Sequence, residues 1–127
     1  MAGGRDIVVV GVCGSGKSVL VQSLRALGYP AWECAQEHSY VPGLWRRHGR
    51  PGVLIYLHAG LPAVCRRLNV RWDESTLAAQ RTRLAEARAH CDLYIDTDRL
   101  PPQQVLCQVI EYLRARRLHA ACRHPAT

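Results

Sequence analysis

The sequence has no phenylalanine, one methionine and one lysine. The missing phenylalanine excludes nothing by itself. The scarcity of lysine is more informative: Lys and Arg together number 17, so sixteen are arginines and Lys17 stands alone. No apolar run is long enough to cross a bilayer and no secretory leader is recognisable, which argues against a membrane protein and for the cytoplasm. The six cysteines (13, 34, 65, 91, 107 and 122) contain no CxxC pair, so a disulfide framework is not expected and they read as reduced, mostly buried thiols. Six histidines offer no pair at ligand spacing with a cysteine beyond Cys122 and His124, so structural zinc is not expected. Internal repeats and low-complexity segments are absent.

What is present fits one domain over residues 1–127, with room for one core. The net charge of +7 favours anionic partners, and nucleotide phosphates satisfy it as well as nucleic acid does. Gly11-Val12-Cys13-Gly14-Ser15-Gly16-Lys17-Ser18 fits the GxxxxGK[ST] pattern of a phosphate-binding loop at every fixed position. Glycines let successive backbone N–H groups curl inward around an anion, and the helix that follows adds the positive end of its dipole. Lys17 would reach the β- and γ-phosphates, and the Ser18 hydroxyl would bind Mg²⁺. The loop and first helical turn, through Gly11, Cys13, Gly14, Ser15, Gly16, Lys17, Ser18 and Val19, are the expected nucleotide contacts. In a chain that uses arginine wherever a generic positive charge serves, a lone lysine at the position needing a compact ammonium suggests chemistry. Cys13 would sit near the helix N-terminus and Lys17, both favouring thiolate; the plainer reading is a filler at a variable position.

Along the chain, Ile7 to Val10 reads as a buried strand. The helix from Lys17 to Leu27, with Leu20, Leu24 and Leu27 on one stripe, is stopped by Gly28 and Pro30. Ala31 to Ala35 reads as a short second strand. Gln36 to Pro51 is irregular, with room for a short helix at Leu44 to Arg47. Gly52 to Leu57 is an apolar third strand, buried on both faces as in a parallel sheet. Pro62 to Leu68 reads as a helical turn or two, Asp73 caps a longer helix to about His90, and Leu93 to Ile95 is a fourth strand. Pro101 and Pro102 open a last helix with Val105, Leu106, Val109, Ile110 and Leu113 on its core stripe, before a basic tail. The alternation predicts an α/β fold: a three-layer α/β/α sandwich with a small, mostly parallel sheet and its ligand at the strands' C-terminal ends.

From the phosphate loop onward the chain resembles the small-molecule kinase branch of P-loop proteins, the shikimate kinase and nucleoside monophosphate kinase group. Pro51-Gly52-Val53-Leu54-Ile55-Tyr56-Leu57 resembles the strand leading into their lid. Arg83 through the Ala-rich helix to Cys91-Asp92-Leu93-Tyr94-Ile95-Asp96-Thr97 resembles their "R…AD…IDT" passage, and Pro102-Gln103-Gln104-Val105 the "SPEEV" start of their final helix. The resemblance implies a P-loop NTPase fold, ATP and Mg²⁺ as cofactors, and a lid around residues 60–90 in or near which Arg66, Arg67 and Arg71 lie, followed by Arg83. An arginine there would stabilise the transferred phosphoryl group. Helical periodicity puts Arg81 and Arg88 on the stripe of Leu77 and Leu84, with Arg83 elsewhere, so either set would serve, or all would form a solvated face.

Two departures stand out. Only Gln36 to Pro51 is available for the acceptor-binding insertion of that group. The third strand ends in His58 where a Walker-B aspartate would be natural, and Asp96, which ends the other apolar run, would by resemblance lie near the adenine. The better acids are Glu33, as a metal ligand with Ser18, and Glu37, which with His38 and Ser39 would organise the metal or accept a proton from an acceptor hydroxyl. Trp45 or Trp72 would stack on a base or pack in core or lid. Arg114, Arg116, Arg117, His119 and Arg123 would contact nucleic acid or satisfy the final helix dipole; a nucleic-acid partner is not favoured.

The expectation is an ATP-binding P-loop kinase acting on an unidentified small-molecule acceptor. Lys17, Glu37 and Arg83 would be catalytic, Arg67 and Arg71 would contact the nucleotide, and Ser18 and Glu33 would hold the metal. The alternative is a non-catalytic or regulatory nucleotide-binding module of the same fold.

Overall fold

In a computed structural model that describes residues 6–116, strands and helices alternate. They are β1 (Ile7–Gly11), α1 (Lys17–Ala26), β2 (Ala31–Glu33), β3 (Val53–His58), α2 (Leu61–Leu68), α3 (Glu74–Arg83), α4 (Ala85–His90), β4 (Leu93–Asp96) and α5 (Pro102–Ala115). Two 3₁₀ turns, Gln36–His38 and Leu44–Arg46, occupy the β2–β3 connection. The tail residues Arg117, His119 and Arg123, and the pair Cys122 and His124, lie outside the described residues.

The four strands are all parallel in the order β2-β1-β3-β4. Side-chain alternation along them builds two cores. Ile7, Val9, Val53, Ile55, Leu57 and Ile95 face α1 and α5, where Leu20, Val21, Leu24, Val105, Val109 and Leu113 are buried. Val10, Leu54 and Tyr56 point to the opposite face and pack against Val64 of α2, Leu77 of α3, Leu84 between α3 and α4, and Ala87 of α4. Each such aliphatic side chain contributes about 1.5–3 kcal/mol by leaving water, so helices on both faces follow from strands apolar on both.

Local chemistry sets the boundaries. Gly28, at φ 93°, ends α1 by donating its N–H to Arg25 O at 2.9 Å. Pro62 sits in the first turn of α2, and Asn69 ends that helix in the left-handed conformation. Asp73 caps α3 by accepting the Thr76 N–H at 3.0 Å.

Several sequence expectations need correction. The helix expected from Asp73 to His90 is divided at Leu84, whose N–H is shared between the Gln80 and Arg81 carbonyls, each at 3.1 Å. That shared bond tightens one turn while Leu84 stays buried. Leu27 is exposed, and Val21 takes its place on the buried face of α1. β2 is shorter than expected, ending at Glu33. The described cysteines are free, but none is fully buried. Within the 60–90 segment, Val64, Leu77, Leu84 and Ala87 pack onto the sheet. No helix among the described residues is long and apolar enough to cross a membrane.

Candidate functional site

The chain passes from β1 to one side of the sheet, at β2, and to the other, at β3, so the strand order reverses at β1. Crevices at such switch points receive ligands in open parallel sheets. The glycine-rich loop leaves β1 here. Register sets Gly11 beside Leu57, Glu33 beside Val9, and His58 beside Asp96, along the C-terminal edge of the sheet.

The loop's shape depends on its glycines. A Cβ at position 11 would collide with the Leu57 carbonyl oxygen of β3 and with Ser15 Oγ, so no larger residue fits. Gly14 and Gly16 have φ of 81° and 99°, and Gly16 hands the chain directly into α1. No side chain caps the α1 N-terminus and no acid lies in its first turn; the acids nearest it, Glu33 and Glu37, come from β2 and the turn after it.

Lys17 and Ser18, the first residues of α1, meet the two acids singled out from the sequence. Lys17 is only 6% exposed; its Nζ donates to Gly11 O at 3.0 Å, to Val12 O at 3.3 Å and to Glu37 Oε2 at 2.9 Å. Ser18 Oγ donates to Glu33 Oε1 at 2.9 Å. Of the five buried side-chain polar atoms without a hydrogen-bond partner among the described residues, two lie at this site, Ser15 Oγ and Glu37 Oε1, a cost that a ligand would offset. Burial pushes the Cys34 thiol above its ordinary range, against a backbone hydrogen bond from Gln36, so beside Glu33 it is a neutral thiol.

A cavity of about 380 Å³ opens beside the loop, lined by Gly14, Ser15, Gly16, Val19, Leu20, Arg67, Thr97, Leu100, Pro102 and Val105. Arg67 spans its wall. Its guanidinium donates to Gly14 O at 2.9 Å, to Thr97 Oγ1 at 3.0 Å and to the Thr97 carbonyl. A second cavity, near 600 Å³, lies against the β1–β2 face and includes Glu33, Cys34 and Trp45 in its lining. Comparison with known protein families and with curated proteins finds no match to this chain.

The structure therefore brings together Lys17, Ser18, Glu33 and Glu37, with Val19 and Arg67 on the adjoining cavity. Arg71 is exposed and is not part of that lining. Arg83 donates to Glu37 O at 3.1 Å and to Tyr40 Oη at 3.0 Å, bracing the β2–β3 connection. Arg81 pairs with Glu74 at 3.2 Å, and Arg88 lies 4.0 Å over the Tyr94 ring. Asp96 accepts from the Asp98 N–H and has no contact with Ser18. Trp45 is buried in the core, and Trp72 packs against the same cluster.

Sequence reasoning missed Gln80. This buried side chain on α3 accepts the Cys13 N–H at 2.9 Å through Oε1, and Nε2 approaches Cys13 Sγ at 3.5 Å. It is the polar member of the buried stripe Leu77, Gln80, Leu84, Ala87, and a polar residue on an otherwise apolar stripe was the available signal.

Proposed function

We propose that the chain is a P-loop protein that binds Mg²⁺–ATP and transfers the γ-phosphoryl group to a hydroxyl or phosphate of a small metabolite. The observation that carries this reading is the Ser18 hydroxyl 2.9 Å from the Glu33 carboxylate, one residue from the buried Lys17 ammonium. A hydroxyl and a carboxylate are the hard oxygen donors that Mg²⁺ selects, and the unpartnered Ser15 Oγ marks the loop as a cradle with a group left to satisfy. Mg²⁺ held by Ser18 and Glu33 would supply charge neutralisation on the phosphates. The loop amides would grip the triphosphate, with the base of the nucleotide directed into the cavity walled by Val19 and Arg67.

On phosphate arrival Lys17 exchanges its bond to Glu37 for phosphate oxygens. Glu37, released from one hydrogen bond and held in place by Arg83 on its own carbonyl, becomes the base for an acceptor hydroxyl. Calorimetry with Mg²⁺–ATP on the wild type and on Lys17→Ala tests the binding step, and absence of binding in the wild type overturns the reading. A phosphoryl-transfer screen over nucleosides, nucleoside monophosphates and hydroxylated metabolites then tests catalysis.

A second reading, a nucleotide-binding module without transfer, draws on one observation. β3 ends in His58, so no acid of the central strand stands beside the loop, and Arg83 is committed to Glu37 and Tyr40. Nucleotide binding with no turnover across that screen would favour it.

A further inference from the structure

Cys13 and His38 are 25 residues apart in sequence, too far for any ligand-spacing pattern, yet the fold brings their side chains to one point at the loop's mouth. Cys13 Sγ lies 3.3 Å from His38 Nε2 and 3.9 Å from Glu37 Oε2, and those last two atoms are 3.6 Å apart. A tetrahedral zinc ion with ordinary bond lengths to sulfur, nitrogen and oxygen keeps such atoms about 3.4–3.6 Å from one another, and each observed edge lies within about 0.3 Å of its ideal. Hydrogen bonding explains only the sulfur–nitrogen edge, because the other two are too long for a well-formed bond. A cation at the centre explains all three.

Two further features favour a cation over an activated thiol. The carboxylate and the thiol both face Nε2 of His38, whereas a nucleophile relay would place the carboxylate on the opposite ring nitrogen. Glu37 is 3% exposed, and its Oε1 is buried without a partner, so the carboxylate is short of a positive partner although Oε2, the oxygen that faces the thiol and imidazole, already accepts from Lys17.

We propose that Cys13, Glu37 and His38 form a Zn²⁺ site with its fourth position open to water or an anion. Thiolate, imidazole and carboxylate together suit a borderline-soft divalent ion and not Mg²⁺. Glu37 is then shared between Lys17 and the ion, which compete for one carboxylate. None of its three donors holds phosphate, so metal binding can be tested without nucleotide, but Glu37 is also the base of the proposed transfer, and an ion here would occupy it.

The test is titration of the metal-free full chain with Zn²⁺ against a chromogenic chelator, and with Co²⁺ while following thiolate-to-metal charge-transfer absorption. One equivalent of Co²⁺ should generate the band, Cys13→Ser should abolish it, and His38→Ala should weaken Zn²⁺ binding by on the order of a hundredfold. His38 is exposed, so its replacement should leave the melting temperature unchanged. Absence of the band in the wild type at saturating Co²⁺ overturns the proposal. Wild-type affinity in both variants also overturns it, by placing the ion on other cysteines.

Discussion

Lys17 Nζ lies 2.9 Å from Glu37 Oε2, and both side chains are almost wholly buried. The ammonium expected to grip a phosphate is thus held by a carboxylate and two loop carbonyls. The pair links the loop to the β2–β3 connection.

Removing the lysine should separate stability from binding. Lys17→Ala leaves Glu37 as an uncompensated buried charge and should lower stability by about 3–5 kcal/mol. Adding Glu37→Gln should restore much of that loss. Mg²⁺–ATP affinity should remain at least about a hundredfold below wild type in both variants, since charge-assisted hydrogen bonds to phosphate are gone. Urea melts and calorimetry on the three proteins check this, and recovery of binding in the double variant would contradict the role given to Lys17.

Glu37→Gln alone should divide the two steps of the proposed reaction. Lys17 keeps its bonds to Gly11 O and Val12 O and no longer faces a negative partner, so nucleotide affinity should stay equal or rise. Turnover should fall by roughly 10²–10⁴-fold if Glu37 takes the acceptor proton. Steady-state kinetics with an identified acceptor would show it, and unaltered kcat would remove the base role.

Gln80→Leu keeps the volume of a buried side chain while removing the acceptor of the Cys13 N–H. An unsatisfied amide at this half-buried position should cost about 1–3 kcal/mol. Gln80→Glu, which retains an acceptor, should restore the bond. Denaturant unfolding of the two variants distinguishes loss of the hydrogen bond from a general packing defect, which both would show.

Asp73 gives a pH-dependent contribution whose sign is fixed. Hydrogen bonds from the Ser75 hydroxyl, the Thr76 N–H and the Thr76 hydroxyl hold its carboxyl below the ordinary value of 3.8. A depressed folded-state pKa means the stabilisation is complete above that ordinary value and disappears as pH falls through the lower folded one. Wild type should therefore melt above Asp73→Ala at neutral pH, and the two curves should converge in the acid range below 3.8. A difference in melting temperature that persists unchanged into strong acid would show the cap to be independent of charge.

The elements that could be read from sequence were those written in short-range pattern. The apolar runs at Ile7–Val10 and Val53–Leu57 announced two-sided burial, and the glycine spacing placed the loop between a strand and a helix. Glu33 and Glu37 could be chosen because they end and follow a strand of a parallel sheet, where side chains meet the ligand edge. Contacts that depend on three-dimensional closure were not legible. Gln80 reaches Cys13 across 67 residues, and Arg67 reaches Thr97 across 30. The break at Leu84 carries no glycine or proline, and only a shared hydrogen bond marks it. Arg83, which the resemblance placed after the lid, is fastened to Glu37 O and Tyr40, contacts across more than forty residues that no local pattern announces.

Arg67 fastens Gly14 of the loop to Thr97, and Thr97 in turn bonds the His58 carbonyl through both its N–H and its hydroxyl. Three separate stretches of chain, α2, the loop and the β4–α5 connection, thus meet at one guanidinium, and the end of β3 joins them through Thr97. A ligand phosphate that drew this guanidinium away would slacken the loop, the end of β3 and the β4–α5 connection together, so arrival at one point would be felt along the whole upper rim of the sheet.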